Sequence, residues 1–133
     1  MIVNRKLALL IVAASIGCAS ASSTKSSGAP ANAKIITQPE IVAAGLGETA
    51  YDLIARLRPN FLASRGPTSV NNGQPTSPYP NVYVDGAAYG DINTLRNINS
   101  AQIGEIRFYQ AWEAQTKFGM GNQAGVIAIT TRR

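Results

Sequence analysis

Two stretches decide the fold: Asn81-Val82-Tyr83-Val84-Asp85-Gly86, running into Ala87-Ala88-Tyr89, and Gly125-Val126-Ile127-Ala128-Ile129-Thr130-Thr131 near the end of the chain. In the first, Val82-Tyr83-Val84 alternates inward and outward, and Asp85-Gly86 is the strongest turn signal in the sequence, so a hairpin returning through Ala87–Tyr89 is expected. In the second, Val126–Thr131 is β-branched but for one Ala and apolar on both faces, as suits a central strand. Between them Asp91 can cap a helix whose Ile92, Leu95 and Ile98 share one face, and Ser100 can cap a further short turn. Ile106 and Phe108 alternate within Glu105–Tyr109, and Trp112–Phe118 has a helical pattern.

Upstream, Thr37-Gln38-Pro39-Glu40 has the form of a capping box and opens a short helix over Ile41–Ala44 that stops at Gly45. Thr49, with Asp52 three residues on, caps a second helix; Ala50, Leu53, Ile54 and Leu57 form its apolar stripe and Pro59 ends it. Phe61-Leu62 is expected to begin a short strand or extended piece reaching Arg65-Gly66. Residues 67–80 carry four Pro and no charge and read as a long surface loop. Short strands mixed with short helices mean a small α+β or α/β sandwich, and we expect an α+β domain with a mixed, short-stranded sheet over residues 35–133. That length suffices for one core.

The first 34 residues have another character. Arg5 and Lys6 precede a ten-residue apolar run, Leu7–Ile16, closed by Gly17 and Cys18. As a helix the run covers about 15 Å, roughly half the hydrocarbon thickness of a bilayer, so it reads as an export signal and not a membrane span. Cys18 is the only cysteine of the chain. Its place behind Ile16-Gly17 is similar to a bacterial lipobox, with Ser15 where Leu is usual, and implies a signal peptide of residues 1–17 and an acylated Cys18. Ala19 after the Cys favours outer-membrane sorting. The alternative is a secretory signal cut after Ala19-Ser20-Ala21, which would discard Cys18 and release a periplasmic or secreted protein. Residues 19–34 are mostly Ser and Ala with no large apolar side chain, the composition of a flexible tether with a reach on the order of 20–25 Å.

Composition excludes much chemistry. With no His among 133 residues, Ser-His-Asp and Cys-His nucleophiles, His bases and His-ligated zinc are out of reach. One Cys leaves no intramolecular disulfide and no CxxC pair. The net charge of +5 falls to +3 once Arg5 and Lys6 leave with the signal peptide, and the rest is unclustered, so no nucleic-acid partner is expected. Gly119-Met120-Gly121-Asn122-Gln123-Ala124-Gly125 is GxGxxxG ahead of a strand, not a dinucleotide loop opening a helix. Asp85 and Asp91, six apart, fail the calcium-loop pattern, and the seven acids offer no pair for acid–base hydrolysis. Glu105 and Arg107 read as cross-strand solvated charges. We expect no enzyme, no metal and no cofactor.

A family resemblance runs through these motifs. Asn81–Gly86, Leu95-Arg96-Asn97-Ile98, Ile103-Gly104-Glu105-Ile106-Arg107-Phe108, Ala114 with Phe118-Gly119, and Gly125–Arg132 resemble, in order and spacing, the second half of the plug domain of TonB-dependent outer-membrane receptors. Tyr51-Asp52-Leu53-Ile54 and Arg65-Gly66 resemble its first half. The resemblance covers about residues 36–132. In such receptors a large transmembrane β-barrel follows the plug. Here the sequence stops one residue past the last motif, residues 19–34 carry no TonB-box-like segment, and Gln110-Ala111-Trp112-Glu113 replaces the Gly-Pro usual after the penultimate strand. The resemblance therefore implies a plug-like domain without its barrel, carried on a lipid anchor.

The expected function is that of a non-enzymatic envelope lipoprotein, acting at the outer membrane of a Gram-negative bacterium as an interaction or ligand-binding module. Its partners would be outer-membrane lipid through Cys18 and a barrel or other envelope protein. The alternatives are a structural envelope lipoprotein with no ligand and a secreted periplasmic binding domain. Tyr79, Tyr83, Tyr89 and Trp112 are the candidate contact aromatics. Asp85, Gly86, Gly119 and Gly125 are expected to define the fold, as turn residues and as the close-packed start of the last strand.

Overall fold

In the computed structural model, residues 32–65, 70, 71, 74, 75 and 77–133 are described. The expected signal peptide, Cys18 and most of the expected tether fall outside the described residues. In chain order the elements are β1 (Ile35–Ile36), α1 (Gln38–Ala44), α2 (Ala50–Leu57), a 3₁₀ turn (Pro59–Leu62), β2 (Val70–Asn71), β3 (Gln74–Pro75), β4 (Asn81–Val84) and β5 (Ala87–Gly90). Two more 3₁₀ turns (Ile92–Asn97 and Ser100–Gln102), β6 (Ile103–Tyr109), α3 (Ala111–Phe118) and β7 (Val126–Thr131) complete the chain. A five-stranded mixed sheet of order β1-β6-β7-β4-β5 carries the α+β domain. Strand β7 is central, as its apolar faces require, parallel to β4 and antiparallel to β6.

Strand register sorts the sheet into two faces. Val82, Val84, Ile127, Ile129, Ile106 and Phe108 fall on one of them by pairing and alternation. Against it pack Ile41 of α1, Leu53 and Ile54 of α2, Phe61, and Leu95 and Ile98 from the segment after β5, all buried in one cluster. Phe61 stacks on Phe108 with ring centroids 5.2 Å apart. Apolar area removed from water here, at about 25 cal/mol per Å², is the main favourable term in folding.

Local chemistry fixes each helix start. The backbone N–H and hydroxyl of Thr37 both donate to the Glu40 carboxylate, at 2.8 and 3.0 Å. The Thr49 hydroxyl accepts from the Asp52 N–H at 3.2 Å and donates to its carboxylate at 2.7 Å. Arg58 pairs with Glu40 at 2.9 Å and so clips the end of α2 to α1. Asp85 and Gly86 both have positive φ, 49° and 86°, as the tight two-residue turn between β4 and β5 demands.

Four local expectations are corrected. Phe61-Leu62 does not begin a strand: Pro59, with φ already near the helical value, starts a 3₁₀ turn that swings Phe61 into the core, and only irregular chain follows to Arg65. The segment 67–80 is not all loop, because Val70 pairs with Pro75 and Asn71 with Gln74 in a small hairpin. The Asn72-Gly73 dipeptide between them is a hairpin signal that the missing apolar period obscured. The element after Asp91 is 3₁₀, not α, and its apolar residues recur every third position accordingly. Asn99, not Ser100, caps the next turn, accepting from the Ala101 N–H at 2.8 Å. Ser100 is instead buried, and its hydroxyl accepts from Gly47 N–H at 3.1 Å.

Candidate functional site

The second face of the sheet is only partly covered. Strand β6 turns Glu105, Arg107 and Tyr109 toward it, β7 turns Ala128 and Thr130, and β4 turns Tyr83. Across the strands Tyr83, Ala128 and Arg107 stand in one row. The small Ala128 leaves a hollow between its two large neighbours. Helix α3 lies across one side of this face, burying Ala114 and lowering Phe118 onto the sheet. Phe118 meets Tyr83 at 4.4 Å between centroids and Tyr109 edge-on at 5.3 Å, bridging two strands that are not neighbours.

What α3 leaves open is a groove of about 290 Å³ walled by Tyr109 and Phe118, with Ala128 and Thr130 also in its lining. Arg107, Lys117 and Arg133 bring positive charge to it and Glu105 and Asp85 negative charge. Lys117 Nζ donates to the Tyr109 hydroxyl at 2.7 Å and lies 4.5 Å from the centre of that ring. Arg107 Nε meets Glu105 Oε1 at 3.3 Å. These two charges are neighbours along one strand and not across strands, which corrects the sequence expectation. Both remain two-fifths exposed, so the pair is worth about 0–1 kcal/mol and leaves the guanidinium open to a ligand.

Asp85 is committed elsewhere. Its carboxylate accepts the Thr131 hydroxyl at 2.6 Å and the Thr131 N–H at 2.9 Å, and these bonds hold its carboxyl below the usual range. The Glu113 carboxyl is likewise held low, first by the Gln110 N–H at 3.0 Å and then by Lys34 at 3.2 Å. Three cationic side chains against two carboxylates, one of them paired with Arg107 and the other held by Thr131, leave the side-chain charge of the groove net positive. The arrangement can hold a flat apolar group against Tyr109 and Phe118 and an anion near Arg107 and Lys117.

The four candidate aromatics do not share this groove. Tyr83 touches it only through Phe118. Tyr79 lies in the turn before β4, Tyr89 on the edge strand β5 and Trp112 on α3, and these three are 42, 48 and 67% exposed. Gly119 and Gly121, with φ of 91° and 100°, turn the chain after α3. Asn122, buried, donates to the Gly119 carbonyl at 3.0 Å and accepts from Asn81 at 2.9 Å, tying that turn to β4. Neither Tyr109 nor Lys117, nor a groove role for Arg107, stands out in the sequence. The alternation of Glu105, Arg107 and Tyr109 was the available signal, since it puts all three on the face opposite Ile106 and Phe108.

Among the described residues no group of three potential metal-ligating side chains comes together, and no helix is long and apolar enough to cross a membrane. Comparison with protein-family models, with curated proteins and with solved structures finds no match.

Proposed function

We propose that the chain is a non-enzymatic envelope lipoprotein, held at the outer membrane of a Gram-negative bacterium by acyl groups on Cys18, whose plug-like domain binds a partner segment or small ligand. The half-covered second face of the sheet carries this reading. A face left open over Ala128 and Arg107, with Tyr109 and Phe118 as its wall and Lys117 beside them, is a concave surface joining aromatic wall and positive charge. Its fitting occupant pairs a flat apolar group with a carboxylate or phosphate. The ordered motifs from Asn81 to Arg132 support the plug-like reading, and the apolar run ending at Cys18 supports the anchor.

The test is capture of tagged protein from detergent-solubilised envelopes of its host, with mass spectrometry of partners and of the bait's own N-terminus. A diacylated Cys18, and a partner lost from an Arg107→Ala/Lys117→Ala variant whose melting temperature is unchanged, is the expected result. Capture indifferent to that variant would refute the groove. A protein beginning at Ser22 in the soluble fraction would instead establish the secreted periplasmic alternative.

A further inference from the structure

Helix α3 has an outer face as well as a sheet-facing one. Ala114 and Phe118 turn inward, while Trp112 and Thr116, one turn apart, are exposed. Trp112, the single tryptophan of the chain, is 67% in water, and Met120, just past the Gly119 turn, is 84% in water. The indole N–H is already satisfied by the Gln110 side chain at 3.2 Å, which leaves the apolar body of the ring outward. Two large apolar side chains thus stand near the two ends of a short helix, and the exposed Thr116 between them is uncharged. Such a combination suits a lipid–water boundary, where indole rings settle at headgroup level.

The chain also enters the domain on this side. Lys34 pairs with Glu113, the residue after Trp112, at 3.2 Å, and Asn32, Lys34 and Glu113 line one recess. Fourteen residue steps separate Cys18 from Asn32, a path of at most about 50 Å. Lipid attached at Cys18 therefore keeps the α3 side within reach of the surface that holds it, at an effective concentration in the millimolar range. We propose that the outer face of α3, through Trp112 and Met120, rests on the lipid surface that carries the Cys18 acyl groups. This inference rests on the acylation proposed above. Two acyl chains already anchor the protein stably, so α3 sets its orientation and not its residence.

One tryptophan makes the test direct. The chain from Cys18 onward is coupled through its only thiol to a maleimide phospholipid in phosphatidylethanolamine/phosphatidylglycerol vesicles, and the N-terminal mass of native protein is measured alongside. We expect Trp112 emission to move to the blue relative to uncoupled protein, acrylamide quenching to fall several-fold, and brominated acyl chains to quench the signal. Met120→Glu, at a side chain already in water, should weaken all three changes with the fold intact. Identical emission and quenching in coupled and uncoupled protein would overturn the docking face while leaving the anchor standing. So would a blue shift that needs added envelope proteins, which would give α3 a protein partner. A native N-terminus without lipid overturns the anchor on which the inference rests, whatever the coupled vesicles show.

Discussion

The Asp85 carboxylate accepts two hydrogen bonds from Thr131, one from its backbone N–H at 2.9 Å and one from its hydroxyl at 2.6 Å, across 46 residues of sequence. This contact locks the β4–β5 turn to the end of the central strand. Asp85 also sits at φ 49°, a region that Asp and Asn tolerate and Ala does not. Asp85→Asn should therefore lower the melting temperature less than Asp85→Ala, because only the alanine loses both the acceptor and the backbone preference.

The same carboxylate gives the domain an acid limit. Asp85 and Glu113 both titrate below their ordinary values in the folded chain, from the Thr131 and Gln110 hydrogen bonds respectively. Glu40 does too: partial burial pushes it up, but the hydrogen bonds from Thr37 and the pairing with Arg58 outweigh that. A depressed carboxyl contributes stability fully above its unfolded value, about 4, and loses it as pH falls through the folded value. Melting temperature should be flat from pH 7 to about 5 and drop below about 4. With no His in the chain, nothing else titrates between pH 5 and 7 to obscure the plateau. In Asp85→Asn the acid drop should be shallower; a drop as deep as the parent's would remove Asp85 from the account.

Gly125 and Gly119 both have positive φ, 94° and 91°, yet an alanine would meet different surroundings at each. At Gly125 its Cβ would fall 2.6 Å from the Tyr109 carbonyl and 2.9 Å from the Phe108 ring, where backbone must move. At Gly119 nothing lies within 4 Å. We expect Gly125→Ala to cost about 2–4 kcal/mol in urea denaturation, and Gly119→Ala about 1–2, the backbone share alone. Equal costs would mean that β6 yields freely at Tyr109.

Much of this fold is legible in the sequence because its signals are local. The turn at Asp85-Gly86, the caps at Thr37 and Thr49, and the apolar run of β7 each need only a few adjacent residues to be read. Phe61 shows the opposite case: its neighbours suit a strand, but Pro59 and the stacking partner Phe108, 47 positions away, decide for a 3₁₀ turn. The groove was harder still. Arg107, Ala128 and Phe118 come together only through the β6-β7 register and the crossing of α3, and neither is written in any one segment. Aromatic content pointed to Tyr79, Tyr89 and Trp112, which are exposed on three separate elements.

Phe61 is accordingly a core residue and no part of an edge. At 1% exposure, stacked on Phe108, it should cost about 3–5 kcal/mol when truncated to Ala. Phe61→Leu, which keeps most of the volume, should cost less than half of that. Arg65 lies 4.2 Å from the centre of the Phe108 ring, so Arg65→Ala should have only a small effect while the stacked pair remains. Chemical denaturation of the three variants orders them, and a mild Phe61→Ala would return the segment to the surface.

Phe118 and Trp112 lie six residues apart on one helix and should behave as opposites. Phe118 joins Tyr83 to Tyr109 and forms the groove wall, so Phe118→Ala removes both ring contacts and opens the groove floor. Because Phe118 is only partly buried, the cost should sit at the lower end of aromatic truncation, about 2–3 kcal/mol. Trp112→Ala removes a ring that stands mostly in water and should change stability by about 0.5 kcal/mol or less. If the groove binds the partner and the outer face of α3 meets lipid, Phe118→Ala weakens partner capture in detergent, where no bilayer is present, and Trp112→Ala leaves it intact. A Trp112→Ala variant that loses the partner in detergent would place recognition on the outer face of α3 and empty the groove of its role.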